Sequence, residues 1–161
     1  MNTIYLQLGS NKGDRRFYLN QAEKQINKKI GRITSSSDTY ESTPWGIKNQ
    51  NKFLNKVIAI KSHLTSKRIL NLSQEIEKKI GRVKSKKWEE RIIDIDILFY
   101  NDDIVRENNL IIPHPLIQER LFVLIPLSEI AANLMHPVYK KDIHTLISEC
   151  KDIEKVEKYE L

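Results

Sequence analysis

The chain has 161 residues, 40% of them hydrophobic and 30% charged, which favours a single globular domain over residues 1–161. No apolar run approaches the ~20 residues of a membrane-spanning helix, and the N-terminus "MNTIYLQLGS" lacks a basic leader, so we expect no membrane association. A single cysteine, Cys150, excludes an internal disulfide framework and predicts a cytoplasmic location. The net charge of +6 favours anionic partners, although the same charge also serves solubility without any binding role.

The first segment of the chain predicts a strand followed by a helix. The alternating apolar residues of "TIYLQLG" are typical of a strand, and Asp14 can cap a helix after the turn "SNKGD". We expect this helix to end at Gly31. Its inward apolar stripe consists of Leu19, Ala22, Ile26 and Ile30.

The middle of the chain repeats this pattern. Residues 33–41 predict a weaker strand, residues 42–52 a long loop and residues 53–61 a third strand. An amphipathic helix then runs from Thr65 to a closing Gly81. Its inward positions are Ile69, Leu72, Ile76 and Ile80.

A basic loop, "GRVKSKKWEER", and a fourth strand, "RIIDIDILFY", complete a β-α-β-β-α-β order. This order predicts the ferredoxin-like α+β fold, with an antiparallel sheet and two helices on one face. Residues 111–134 are apolar and partly helical, so we expect them to cover the other face. A short amphipathic helix in "KDIHTLISECK" and a charged tail follow.

Two aspartates interrupt the fourth strand. Because side chains alternate along a strand, Asp94 and Asp96 point to the same face, about 7 Å apart. Paired carboxylates of this kind suit a divalent cation such as Mg²⁺, which fills its remaining positions with water and phosphate oxygens. The alternative is a carboxylate pair neutralised by nearby arginines, of which Arg91 is the obvious candidate.

The basic loop before this strand strengthens the metal hypothesis. It carries Trp88 among five cations, which suit phosphate binding and could close over a substrate. A solvated charge run is the ordinary alternative. Adjacent cations and carboxylates favour a nucleotide–Mg²⁺ site. The cations are Arg82, Lys84, Lys86, Lys87 and Arg91.

Three further patterns are weaker indications of function. His114 lies between two prolines in "IPHP", although a structural role is the more frequent one for a lone histidine. Phe53 and Asn55 share a strand face and together suit a planar heterocycle, although core packing explains Phe53 equally simply. Gln74 and Glu77 share a helix face outside the apolar stripe, which predicts a solvated face.

Taken together, these pieces resemble the hydroxymethyl-dihydropterin pyrophosphokinase family of folate biosynthesis. The resemblance extends from residue 4 to about residue 150. The matching segments are "GSNKGD" (9–14), "YESTPWG" (40–46), "FLN" (53–55), "IEKKIGRV" (76–83), "WEERIIDIDILFY" (88–100) and "IPHPLIQERLFVLIPLSEIAA" (112–132).

The resemblance implies transfer of diphosphate from ATP to the hydroxymethyl oxygen of a reduced pterin, with AMP as the second product. It implies that Asp94 and Asp96 bind two Mg²⁺ ions. No strong general base is evident from the sequence, although Asp94 could assist the substrate hydroxyl. Arg82 and Arg91 would be catalytic arginines that engage the phosphates. The implied ATP contacts are Gln74, Arg82, Trp88, Arg91, Ile97, Ile111, His114 and Arg120. The implied pterin contacts are Ser42, Thr43, Trp45, Phe53, Asn55, Asp94 and Phe122.

The chain departs from the family pattern at Asn109, Ile111 and Pro115, where an arginine, a threonine and a tyrosine are common. Other classes remain open from the residues alone. An RNA-binding module shares the strand order, but "FLNKVIAI" lacks the aromatic signature of that module, and aspartates do not suit a polyanion. A kinase that makes ADP and a regulatory domain that binds without turnover are further alternatives. We expect a monomer that binds no nucleic acid.

Overall fold

A computed structural model of the protein describes residues 1–44, 49–83 and 90–160. Its elements, in chain order, are β1 (Asn2–Ser10), α1 (Arg15–Lys29), β2 (Arg32–Ser36), β3 (Tyr40–Ser42), β4 (Phe53–Ser62), α2 (Ser66–Ile80), β5 (Asp94–Tyr100), β6 (Val105–Glu107), β7 (Leu110–Ile112), a 3₁₀ turn (Ile117–Glu119), α3 (Leu121–Ala131), α4 (Ile143–Glu149) and β8 (Val156–Lys158). No helix of the described residues is long and apolar enough to span a bilayer.

The main sheet is antiparallel and has the order β5-β1-β4-β3-β8, with β2 also pairing with β4. The two central strands, β1 and β4, come from the two halves of the β-α-β-β-α-β order. This arrangement confirms the predicted ferredoxin-like α+β fold. Strands β6 and β7 form a separate two-stranded sheet.

Apolar clusters lie on both faces of the sheet, so helices cover both faces as predicted. The stripes of α1 and α2 pack against inward residues of β1, β4 and β5. On the opposite face, α3 and α4 pack against Val57, Leu98 and Phe99. Residues 111–134 therefore cover this face of the sheet through α3, as predicted. The helical residues of this second cluster are Val123, Leu124, Leu127, Ile143 and Leu146.

Local capping sets three of the predicted helix ends. Asp14 Oδ1 accepts the Phe17 N–H at 3.1 Å, and Thr65 Oγ1 accepts the Arg68 N–H at 3.2 Å. Gly81 ends α2 with a φ of 126°, which side chains rarely adopt.

Gly31 follows the end of α1, as predicted, but close packing rather than a helix cap requires a glycine there. Helix α1 ends at Lys29, and a Cβ on Gly31 would lie 2.3 Å from the Lys61 carbonyl oxygen. Close packing of α1's end against β4 therefore explains the glycine.

Two features differ from the sequence-based expectation. The weaker strand of residues 33–41 is two strands, β2 and β3, separated at Ser37, whose hydroxyl and N–H both bond to Val57 of β4. The charged tail forms β8, which pairs with β3, where Ser42 lies opposite Val156. A three-residue strand made of one valine and two oppositely charged residues has no local pattern that distinguishes it from a solvated tail.

Candidate active site

A cavity of about 340 Å³ opens at the end of the sheet where β1, β3, β4 and β5 meet. The segment around His114 and the start of α3 form the rest of its wall. Its lining residues are Gln7, Gly9, Ser42, Thr43, Phe53, Asn55, Arg91, Asp94, Asp96, His114, Pro115, Leu116, Arg120 and Phe122.

The two aspartates of β5 both line this cavity. Asp94 lies opposite Gly9 and Asp96 opposite Gln7 in the pairing with β1. Asp94 Oδ1 lies 3.0 Å from Arg91 Nη1 and 3.3 Å from Arg82 Nη1. Two guanidinium groups thus balance the charge of Asp94, and Arg91 is one of them, as the arginine alternative predicted. Arg82 contacts Asp94 without lining the cavity.

Burial, and next the charge of Asp94, raises the pKa of the Asp96 carboxyl above its ordinary value. The guanidinium groups of Arg120, Arg82 and Arg91 act in the opposite direction but do not cancel this effect. The folded chain therefore disfavours the ionised form of Asp96. A bound cation would stabilise the ionised form.

Glu77 is buried, so the predicted solvated face is wrong for this residue, although Gln74 is exposed. Glu77 Oε2 accepts the N–H of Ile95 at 2.7 Å, and Glu77 Oε1 lies 2.8 Å from Arg82 Nη1. Burial raises the pKa of Glu77 to about 7. Among the described residues, β5 lies at the edge of the sheet, and Glu77 supplies the acceptor that a neighbouring strand would otherwise provide between the two aspartates.

A hydrogen-bonded bridge fixes the backbone of Arg91. Asn11 Oδ1 accepts the Arg91 N–H at 2.7 Å, and the Asn11 N–H donates to the Arg91 carbonyl at 3.0 Å. Asn11 Nδ2 also donates to Gln50 and to the Asn51 carbonyl. The turn after β1 therefore positions the arginine that precedes the aspartate strand, a role that no pattern in "GSNKGD" indicated.

His114 is held by both its backbone and its ring. Its N–H donates to the Leu98 carbonyl at 3.0 Å, and its Nδ1 accepts the Leu116 N–H at 3.2 Å. An accepting Nδ1 leaves Nε2 as the donor of the neutral ring. Burial, and next the charge of Arg120, lowers the pKa of His114 to about 4. At neutral pH, His114 is therefore an uncharged donor in the cavity wall.

The part of the cavity formed by β3, β4 and the start of α3 combines aromatic rings with polar groups. Asn55, 1% exposed, donates from Nδ2 to Ser42 Oγ at 2.8 Å and accepts from Gln7 Nε2 at 3.4 Å. Phe53 and Phe122 both line this part, and the Arg120 guanidinium carbon lies 5.4 Å from the centre of the Phe122 ring. Phenyl faces beside a fixed amide suit a flat heterocycle with hydrogen-bonding edges.

The structure does not bring every candidate residue into the cavity. Gln74 is exposed on α2, Ile97 is buried in the core beneath α1 and α2, and Ile111 is exposed on β7. Their contact with the adenosine stays a prediction. Trp45 and Trp88 lie outside the described residues, as do Lys84, Lys86 and Lys87.

Paired carboxylates, guanidinium groups and aromatic rings around one cavity are the residues of an enzyme that handles an anionic small molecule. A sequence model of the 7,8-dihydro-6-hydroxymethylpterin-pyrophosphokinase family matches residues 5–132. The chain therefore belongs to this family, which makes it an enzyme of the pyrophosphokinase class.

Individual relatives agree with this assignment. The chain is 42% identical over 143 residues to the 2-amino-4-hydroxy-6-hydroxymethyldihydropteridine pyrophosphokinase of Aquifex aeolicus, covering 89% of each chain. It is 42% identical over 134 residues to the Bacillus subtilis protein of the same name, covering 83% of this chain and 80% of that one.

The fold also matches the crystal structure of wild-type Plasmodium falciparum HPPK-DHPS, with a TM-score of 0.75 and 18% identity. That match covers 92% of this chain and 44% of the Plasmodium chain. At this identity, the match concerns the fold alone.

Proposed function

We propose that this protein transfers diphosphate from ATP to 6-hydroxymethyl-7,8-dihydropterin, giving AMP and the pterin diphosphate in folate biosynthesis. The observation that carries the proposal is one cavity lined by two aspartates of β5, by Phe53 and the buried amide of Asn55 on β4, and by Phe122 of α3. Family membership supports the same reaction. We also propose that residues 1–161 act as one domain, as a cytoplasmic monomer that binds neither nucleic acid nor membrane.

In the proposed reaction, the hydroxymethyl oxygen of the pterin attacks the β-phosphorus of ATP. The bond from that phosphorus to the oxygen bridging the α- and β-phosphorus atoms breaks, and AMP leaves with this oxygen. The hydroxyl proton passes to solvent, with Asp94 available to assist. Phosphoryl chemistry of this kind depends on positioning and charge neutralisation more than on covalent help from the protein.

The residues present fit a magnesium site. Among the described residues, there is no group of three or more His, Cys, Asp or Glu side chains that could hold a metal ion. Mg²⁺ needs only one or two carboxylates when substrate phosphates complete its coordination, and Asp94 and Asp96 supply them on one face of β5. When bound, two Mg²⁺ ions would neutralise the phosphates of ATP. Burial disfavours the ionised form of Asp96, and a bound cation would stabilise that form.

The chain's own cations would complete the phosphate site. Arg82 and Arg91, now paired with Asp94, would turn to the phosphates once cations neutralise the aspartates. Arg120 and neutral His114 would contact the triphosphate from the facing wall. Gln74, Ile97, Ile111 and Trp88 remain the proposed contacts to the rest of ATP.

The pterin would lie between Phe53 and Phe122, with Asn55 and the backbone groups of Ser42, Thr43 and Trp45 at its edges. The hydrogen bonds of Asn55 to Ser42 and Gln7 support this proposal, because they hold the amide in one orientation. The cavity volume of about 340 Å³ is at the lower end for ligand pockets and suits one small heterocycle.

Product analysis tests the proposed reaction. Protein, ATP, Mg²⁺ and hydroxymethyl-dihydropterin should yield AMP only when the pterin is present, and chelation of the metal should abolish AMP formation. Nucleotides separated after incubation give the readout. ADP in place of AMP would refute diphosphate transfer, and pterin-independent AMP would refute the acceptor.

Removing either phenyl ring should weaken pterin binding. We expect Phe53→Ala and Phe122→Ala each to raise KM for the pterin about five- to hundredfold, because a stacked ring contributes about 1–3 kcal/mol. KM for ATP should change much less. The matched control is Phe17→Ala on α1, since Phe17 is 51% exposed and does not line the cavity. Equal changes in both KM values would refute the assignment of the two rings to the pterin.

The lowered pKa of His114 predicts a pH-dependent contribution to stability. Its folded pKa of about 4 lies below its ordinary 6.5, so the unfolded chain binds more protons between these values. The contribution is complete above pH 6.5 and is lost as the pH falls towards 4. Urea unfolding should therefore give a stability difference between wild type and His114→Gln that shrinks across this window and is constant above it. A difference that does not vary with pH would contradict the lowered pKa.

A further inference from the structure

A segment near the end of the chain contacts residues in and next to the cavity lining from outside the cavity. Residues 152–159, here called the C-terminal clamp, follow α4 and include β8, which pairs with β3. The matched family segment ends at residue 132, so the clamp lies beyond it. None of its residues lines the cavity.

The clamp holds the cavity residue Thr43 by two hydrogen bonds. Thr43 Oγ1 donates to Glu154 Oε2 at 2.6 Å, and the Thr43 N–H donates to the Lys155 carbonyl at 3.3 Å. Strand β3 is only three residues long and ends at Ser42, immediately before Thr43. The position of Thr43 therefore depends on the clamp as well as on β3.

The clamp also holds the start of α3. Asp152 Oδ2 accepts the Leu121 N–H at 3.0 Å, and Asp152 Oδ1 accepts the Glu154 N–H at 2.9 Å. Leu121 is the first residue of α3 and lies between Arg120 and Phe122, which both line the cavity. A carboxylate at this helix start satisfies a donor that has no intrahelical partner.

The far end of the clamp is fastened next to the start of β3. The Tyr159 N–H donates to the Thr39 carbonyl at 2.8 Å. The Arg15 guanidinium carbon lies 5.6 Å from the centre of the Tyr159 ring, and Arg15 also bonds Glu41 of β3. The clamp is therefore anchored on both sides of Glu154.

We propose that Asp152 and Glu154 are positioning residues for the pterin, because they join Thr43 on one wall of the cavity to Arg120 and Phe122 on another. These two walls belong to segments that are distant in sequence. The Glu154 carboxylate contacts Thr43 on the first wall, and the Asp152 carboxylate contacts Leu121 on the second. The inference rests on the proposed function. Loss of either tether would change the spacing between the two walls, so the groups that contact the pterin would no longer be held in the arrangement that binds it.

The expected result for Glu154→Ala and Asp152→Ala is a rise of about tenfold in KM for the pterin. The value of kcat should stay within about twofold of wild type in both variants, and so should KM for ATP in Glu154→Ala, whose contact to Thr43 lies away from Arg120. The matched control is Glu157→Ala, which removes the same charge from the same segment. Glu157 pairs only with the exposed Lys155 in the described contacts, and its variant should leave all three constants unchanged. Circular dichroism and thermal melting of each variant establish folding.

A double-mutant cycle separates positioning from general support of the fold. Thr43→Val removes the hydroxyl that contacts Glu154, so Thr43→Val and Glu154→Ala together should raise the pterin KM no more than either change alone. Additive effects would refute the Thr43–Glu154 tether. A parallel fall in kcat, both affinities and the melting temperature would overturn the positioning role.

Pterin binding distinguishes this inference from the proposed function. An ATP analogue with a methylene group between the α- and β-phosphorus atoms prevents transfer, so calorimetric titration with pterin measures affinity alone. Weaker pterin binding in Glu154→Ala but not in Glu157→Ala would support the clamp even if wild type makes no AMP. Equal affinity in wild type and both variants would overturn the clamp even if wild type makes AMP.

Discussion

Asp96→Asn should lower kcat at least about a thousandfold while stabilising the ligand-free protein. Loss of a carboxylate weakens the proposed cation site, and electrostatic groups aimed at transferring charge account for about 10²–10³ in rate even singly. The raised pKa of Asp96 means that the fold disfavours its charge, so the neutral amide should increase the free energy of unfolding by about 1 kcal/mol. Steady-state kinetics and urea unfolding measure the two effects.

The pH dependence of this stabilisation has a defined sign. Because the folded pKa of Asp96 is above its ordinary 3.8, wild type loses stability as the pH rises through that folded pKa. The gain from Asp96→Asn should therefore be present at neutral pH and absent near pH 3. Asp102→Asn is the matched control, since Asp102 is exposed just beyond β5 and should change neither rate nor stability. Near wild-type turnover in Asp96→Asn would eliminate the proposed metal role.

Arg91→Lys should lower kcat about a hundredfold, although the charge is conserved. A guanidinium offers a planar fork that engages two phosphate oxygens at once, whereas an ammonium acts as a point charge. The backbone bonds between Arg91 and Asn11 do not depend on the side chain, so the variant should fold normally. Single-turnover measurement of AMP formation separates this effect from product release.

The same conservative change elsewhere provides the control. Arg32 is exposed on β2, far from the cavity lining, and Arg32→Lys should leave the single-turnover rate unchanged. If Arg91→Lys retains a rate within threefold of wild type, Arg91 contributes only its charge, and the proposed phosphate fork is refuted.

Much of the site followed from local pattern. The period-2 alternation of a strand places Asp94 and Asp96 on one face and Phe53 and Asn55 on another strand's face, and all four line the cavity. The ends of α1 and α2 could be predicted at Asp14 and Gly81, because caps act on residues three or four positions away. The order of the elements was sufficient for the ferredoxin-like arrangement.

Other positions could be assigned only from the tertiary structure. Glu77 has the spacing of a solvated helix face, but its partner Ile95 lies on an edge strand and Arg82 beyond the helix end. Asn11 reaches Arg91 across 80 positions of sequence. Neither contact has a local signature.

By itself, the sequence determined the strand and helix order, the shared faces of the paired residues and the resemblance to a family, because short-range periodicity and spacing carry this information. Only the tertiary structure decided that Arg82 joins Arg91 in neutralising Asp94, that Glu77 completes the edge of β5, and that the charged tail becomes β8 beside Thr43. These contacts join residues far apart along the chain. Their energies depend on burial and on partner geometry, which arise only when the sheet and its two covering layers have assembled.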